Sequence, residues 1–88
     1  MTTVKAGRYA INRPREWWDG VADAVRLRAV AAALALPAEI VEIVTDSDEE
    51  ADLASVWLVT DYHEHAIGHV TAEADGTLVV EILDEGAV

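Results

Sequence analysis

Three histidines fall within seven residues, His63-Glu64-His65-Ala66-Ile67-Gly68-His69, and imidazole nitrogens at such spacing are the raw material of a metal centre. Alternate residues of a strand project from one face. His63 and His65 would therefore present two nitrogens together with Glu64 turned away, and His69 would add a third if the strand ran on through Gly68. Zinc needs three or four ligands in tetrahedral reach, and a turn here would carry His63 and His65 away from His69. The expectation is exposed turn histidines, a cross-strand His69–Glu81 pair, and no bound metal or other cofactor.

A second constellation is acidic. Asp46-Ser47-Asp48-Glu49-Glu50-Ala51-Asp52 places five acids in seven positions, and the alternation of Asp46, Asp48, Glu50 and Asp52 suggests a calcium loop, whose carboxylates wrap a hard cation. Two positions break the match: Ala51 stands where the sharp turn needs Gly, and Trp57 where the bidentate Glu should be. The run cannot be buried, so it reads as an exposed connection, either a solvated, charged loop or a docking surface. Catalytic signatures are lacking: there is no Gly-rich phosphate loop, and Ser47 and Ser55, the only serines, have no nucleophile-elbow context. No Cys is present, which removes thiolate zinc sites, Cys nucleophiles and disulfides together. The chain is expected not to be an enzyme.

Trp17, Trp18 and Trp57 supply three of the five aromatic residues. Neighbouring residues on a helix point about 100° apart, so Trp17 and Trp18 do not easily enter one core. Trp18 is the better core candidate; Trp17 and Trp57 are candidate contact residues, since aromatic anchors dominate interfaces.

The elements that must carry these residues belong to one small domain spanning residues 1–88, because 88 residues are too few for two cores. Leu, Ile and Val number 24, enough to fold despite a net charge of -11. No apolar run approaches the roughly 18 residues of a membrane span, and the N-terminus lacks a signal-peptide pattern, so a soluble cytoplasmic protein is expected.

Thr3 to Ile11 reads as a strand with Tyr9 and Ile11 on one face. Asn12-Arg13-Pro14-Arg15-Glu16 carries a helix-start signal, with Asn12 or Arg13 as cap; Gly20 weakens it, and Asp19 could instead cap a helix beginning at Gly20, leaving Pro14 to Trp18 as a separate turn. Trp18, Val21, Val25, Ala29, Ala32 and Leu36 fall on one stripe at helical spacing. From Ala29 to Leu36 the helix is apolar all round, which predicts cover on more than one side and a homodimer; Leu36-Pro37 ends it. Ile40 to Thr45 is β-branched and reads as a strand, with a short helix from Pro37 as the rival.

Leu53 to Tyr62, apolar on both faces, reads as a central strand, with Ala54, Val56 and Leu58 against Trp57 and Val59. Ile67–Glu73 and Thr77–Leu83 form a hairpin. A three-residue loop Ala74-Asp75-Gly76 would pair Val70 with Val80, Ala72 with Leu78 and His69 with Glu81, giving one apolar face; a two-residue Asp75-Gly76 loop would pair Val70 with Glu81. The expected fold is α+β, a single helix on a mostly antiparallel sheet of four to five strands in the order β-α-β-β-β-β.

Charge is segregated along this order. All six basic residues lie in the first 28 positions, against three acids there, whereas the 60 residues from Ala29 onward hold 14 acids and no Lys or Arg. Such a surface repels nucleic acid and anionic membranes and attracts a basic protein or a groove built to hold DNA or RNA. In its small size, its strand-helix-strand start and the acids Asp46, Asp48, Glu49, Glu50, Asp52, Asp61, Glu64, Glu73, Asp75, Glu81, Asp84 and Glu85, the chain resembles the small inhibitors encoded by phages and mobile elements, including anti-CRISPR proteins. That resemblance implies a stoichiometric binder that blocks a basic groove of a protein or nucleic-acid-handling complex; it carries no residue over by position, and the expected contacts Asp46, Asp48, Glu49, Glu50, Asp52, Trp17 and Trp57 rest on charge and residue type alone. The rival expectation is a homodimeric regulatory or accessory subunit.

Overall fold

The computed structural model describes residues 3–44, 53–59 and 64–87. In chain order these form strands β1 (Thr3–Val4) and β2 (Gly7–Pro14), helices α1 (Arg15–Gly20) and α2 (Asp23–Leu34), a single 3-10 turn (Ala38–Ile40), and strands β3 (Val41–Val44), β4 (Ala54–Val59), β5 (Glu64–Ala72), β6 (Thr77–Ile82) and β7 (Gly86–Ala87). The fold is α+β, as expected. The main sheet has five strands in the order β2-β6-β5-β4-β3, every neighbouring pair antiparallel, while β1 and β7 pair in a small sheet of their own.

Because β2 and β3 occupy opposite edges, the chain between them must cross a face of the sheet, and α2 lies against both edge strands. That covered face is the core: Val30, Ala31 and Leu34 of α2, with Trp18 and Leu36, meet Val41, Ala54, Val56, Leu58, Ile67, Val70, Leu78, Val80 and Ile82. No polar or charged residue is buried among the described residues.

The N-terminal reading needs three corrections. The strand expected from Thr3 to Ile11 is two strands, of which β2 runs on to Pro14 and absorbs the expected capping residues. Its pairing slips between Ala10 and Pro14, and Asn12 sits in the left-handed region at φ 60°, which Asn tolerates better than most residues. The single helix is in fact two, and α2 begins after Ala22 with no side-chain cap, so neither Asn12, Arg13 nor Asp19 serves.

The break resets the helical phase, which is why the expected stripe fails. Ala32 is exposed, Val25 and Ala29 are half-buried, and the face turned inward is Leu27, Val30, Ala31 and Leu34. In an all-apolar stretch the longer side chains win the core because they remove more area from water. Ala29 to Leu36 is therefore covered on one side, and what it leaves exposed is alanine.

The end of α2 agrees with the expected stop. Ala35 adopts the left-handed conformation, Leu36 N–H donates to Ala31 O at 2.9 Å, and Pro37 follows. Both readings of the next segment hold in part, since the 3-10 turn after Pro37 leads directly into β3.

The C-terminal hairpin has the predicted three-residue loop: Val70 pairs with Val80, Ala72 with Leu78 and His69 with Glu81. Gly76 takes φ +90°, and Gly76 N–H donates to Glu73 O at 2.9 Å. Asp75 accepts a hydrogen bond from Thr77 N–H at 2.9 Å, which holds its carboxyl below the usual carboxylate range. In the middle of β5, Ile67 and Gly68 together oppose Val56, a β-bulge that lets both Ile67 and Val70 enter the core. Gly68 is required there by close approach, because a Cβ would lie 2.9 Å from Ile82 Cα and nearer still to Glu81 O.

Candidate functional site

The bulge decides the geometry of the histidines. His65 stands opposite Leu58 and His69 opposite Ser55, positions three apart on β4 and hence of opposite parity. The strand does continue through Gly68, but the extra residue breaks the regular alternation between Ala66 and Gly68. His63 lies outside the described residues. Among the described residues no group of three or more His, Asp or Glu is placed to hold a metal ion.

His69 instead belongs to a row crossing the sheet face turned away from α2. Arg8 on β2 pairs in register with Glu81 on β6, Glu81 with His69 on β5, and His69 with Ser55 on β4. The side chains follow the register: His69 Nε2 lies 3.7 Å from Glu81 Oε1, Arg8 Nε lies 4.0 Å from Glu81 Oε2, and the Arg8 guanidinium also meets Glu73. The expected cross-strand His69–Glu81 pair is present.

The tryptophans divide as the helix geometry requires. Trp18 is buried, and Arg26 on α2 reaches back to it, its guanidinium 5.3 Å from the ring centroid and its Nε donating to Trp18 O at 2.8 Å. Trp17 is half-buried and carries the Arg13 guanidinium 5.4 Å from its ring centroid. Trp57 is half-buried on β4 between Glu42 of β3 and Ala66 of β5, and its indole N–H is enclosed without an acceptor.

Trp17 lines a groove of about 450 Å³ between β2 and α2, with Arg13, Arg28 and a floor of Ile11, Ala29 and Ala32. A smaller cleft of about 200 Å³ lies between the first turn of α2 and β3. Arg13 and Arg28 were absent from the candidate residues read from sequence. A signal existed for Arg28: Arg15 and Arg26 each have an acid at helical spacing, Asp19 and Asp23, whereas Arg28 has alanine or valine at every such position.

The acids Asp46, Asp48, Glu49, Glu50 and Asp52 lie outside the described residues. Those that are described behave in two ways. Glu73 and Glu81 are engaged by Arg8, whereas Glu39, Glu42, Asp84 and Glu85 are exposed, with no Lys or Arg of the described residues in ion-pair distance. No described helix is long and apolar enough to cross a membrane. Comparison of the chain with protein-family models, with curated proteins and with solved structures finds no match.

Proposed function

We propose that this protein is a small, non-catalytic inhibitor that docks on a basic, nucleic-acid-binding surface of a target complex, in the manner of anti-CRISPR proteins. One observation carries the reading: the 60 residues from Ala29 onward hold 14 acids and no Lys or Arg, and that stretch supplies four of the five strands of the main sheet. The described acids of that stretch lie on the 3-10 turn and on the strands and connections from β3 to β7, and the arginines on β2 and the helices at one edge and one face. A basic groove is attracted to such a body through its summed field, which acts before any single contact forms.

The test is competition. Purified nucleic-acid-binding complexes, CRISPR effectors among them, are loaded with a fluorescent duplex and titrated with the protein. Displacement should occur for at least one complex and weaken as salt rises. The combined reversal Asp48→Lys, Glu49→Lys, Glu50→Lys and Asp52→Lys should slow association and flatten its salt dependence. Displacement by that variant with unchanged rate at low salt overturns the electrostatic reading and moves the contact to the tryptophans.

A further inference from the structure

We infer that the groove between β2 and α2 receives an acidic, aliphatic peptide segment of a partner protein. This lies beyond the acidic surface and has the opposite sign.

Of its five arginines, Arg8 meets Glu73 and Glu81, Arg15 meets Asp19, and Arg26 meets Asp23. Among the described residues Arg13 and Arg28 meet no carboxylate, although acids outnumber basic residues 17 to 6 in the sequence. Both unanswered arginines line the same groove. Arg13 stacks on Trp17, an arrangement that holds the guanidinium plane while leaving its N–H donors free to take a carboxylate in a two-pronged pair.

The rest of the lining fixes the other half of the ligand. Ile11, Ala29 and Ala32 form an apolar floor, so the fitting occupant is an aliphatic segment flanked by carboxylates.

Two alternatives fit less well. A nucleic acid carries a phosphate charge every few ångström, so most of its length would lie past the two arginines and in the field of a chain whose last 60 residues bear 14 acids. A second copy would bring a net charge of -11 against -11. A short acidic peptide meets the local positive charge without a long anionic tail.

The probe is a fluorescein-labelled, end-blocked peptide in which glutamates flank a pair of leucines, titrated with the whole protein and read by anisotropy. Saturable binding is expected below about 1 mM, falling about tenfold when the glutamates become glutamine. The double variant Arg13→Glu with Arg28→Glu should lose binding by at least as much while keeping its near-ultraviolet circular dichroism. Arg28→Lys, which keeps the charge but loses the planar fork, should fall between.

Several results overturn the inference. These are no binding of the wild-type protein at about 1 mM, equal binding by the double variant, tighter binding of a single-stranded oligothymidine than of the peptide, or self-association in the ultracentrifuge that the double variant abolishes.

Discussion

The helical edge and the strands β3 to β6 treat charge in opposite ways. On β2, α1 and α2, arginines alternate with a few acids and three of five form ion pairs, one of them, Arg26, tucked against Trp18. Across β3 to β6 there is no cation but histidine, and the two acids that find an arginine, Glu73 and Glu81, borrow it from β2. Both regions nevertheless supply the same core, in which no described polar or charged residue is buried. Apolar packing therefore builds the fold, and charge contributes little to holding it together. Exposed ion pairs such as Arg8–Glu73 contribute about 0–1 kcal/mol, too little to change that conclusion.

The largest expected effect separates the two regions by backbone alone. Gly68→Ala in the sheet drives a Cβ into the backbone of Glu81 and Ile82, and should cost about 3–5 kcal/mol in urea unfolding. Gly20→Ala at the end of α1 meets nothing within 4 Å and should be neutral or stabilise by about 0.5 kcal/mol. Equal costs would mean the bulge at Ile67 and Gly68 is not a fixed feature of the sheet.

A middle-sized effect sharpens the contrast among arginines. Arg26→Ala removes a ring contact and a hydrogen bond to Trp18 O, and should destabilise by about 1–2 kcal/mol. Arg28→Ala should change stability by less than about 0.5 kcal/mol, since its guanidinium meets no carboxylate among the described residues. Thermal melts of the two variants side by side decide this.

The smallest effect concerns pH and sits in the hairpin. The Asp75 carboxyl is held low by the Thr77 N–H, so the folded state favours its charged form. That contribution is present above the unfolded carboxyl value of about 4 and is lost as pH falls below it. Asp75→Asn should therefore lower the urea midpoint at neutral pH and converge with the parent in strong acid. A gap that persists unchanged at low pH would assign the effect to geometry alone.

How much was legible in the sequence follows from the same division. The hairpin was readable to the residue because only one loop length puts Val70, Val80 and Leu78 on one face, and Asp75-Gly76 supplies the turn chemistry. The bulge was not, because it depends on the separation between Gly68 and Glu81, which neighbouring residues do not encode. The helical segment was half readable: its end was marked by Leu36-Pro37, but an uncapped start at Ala22 and an apolar stretch of alanines gave periodicity nothing to choose a face with. Of the groove's lining, Trp17 could be singled out by residue type, while its union with Arg13 and Arg28 required knowing that β2 and α2 are neighbours.

Strand β2 has one further consequence. As an edge of the main sheet it would ordinarily offer a row of free amides on which another chain could template, the first step toward cross-β fibres. Asn12 turns the backbone out of the extended region partway along, and Pro14 at the end has no amide to give. An eight-residue edge is thus cut into a shorter one that carries arginine side chains. The same irregularity that shifts the β2–β6 register should keep concentrated solutions free of thioflavin-positive aggregate.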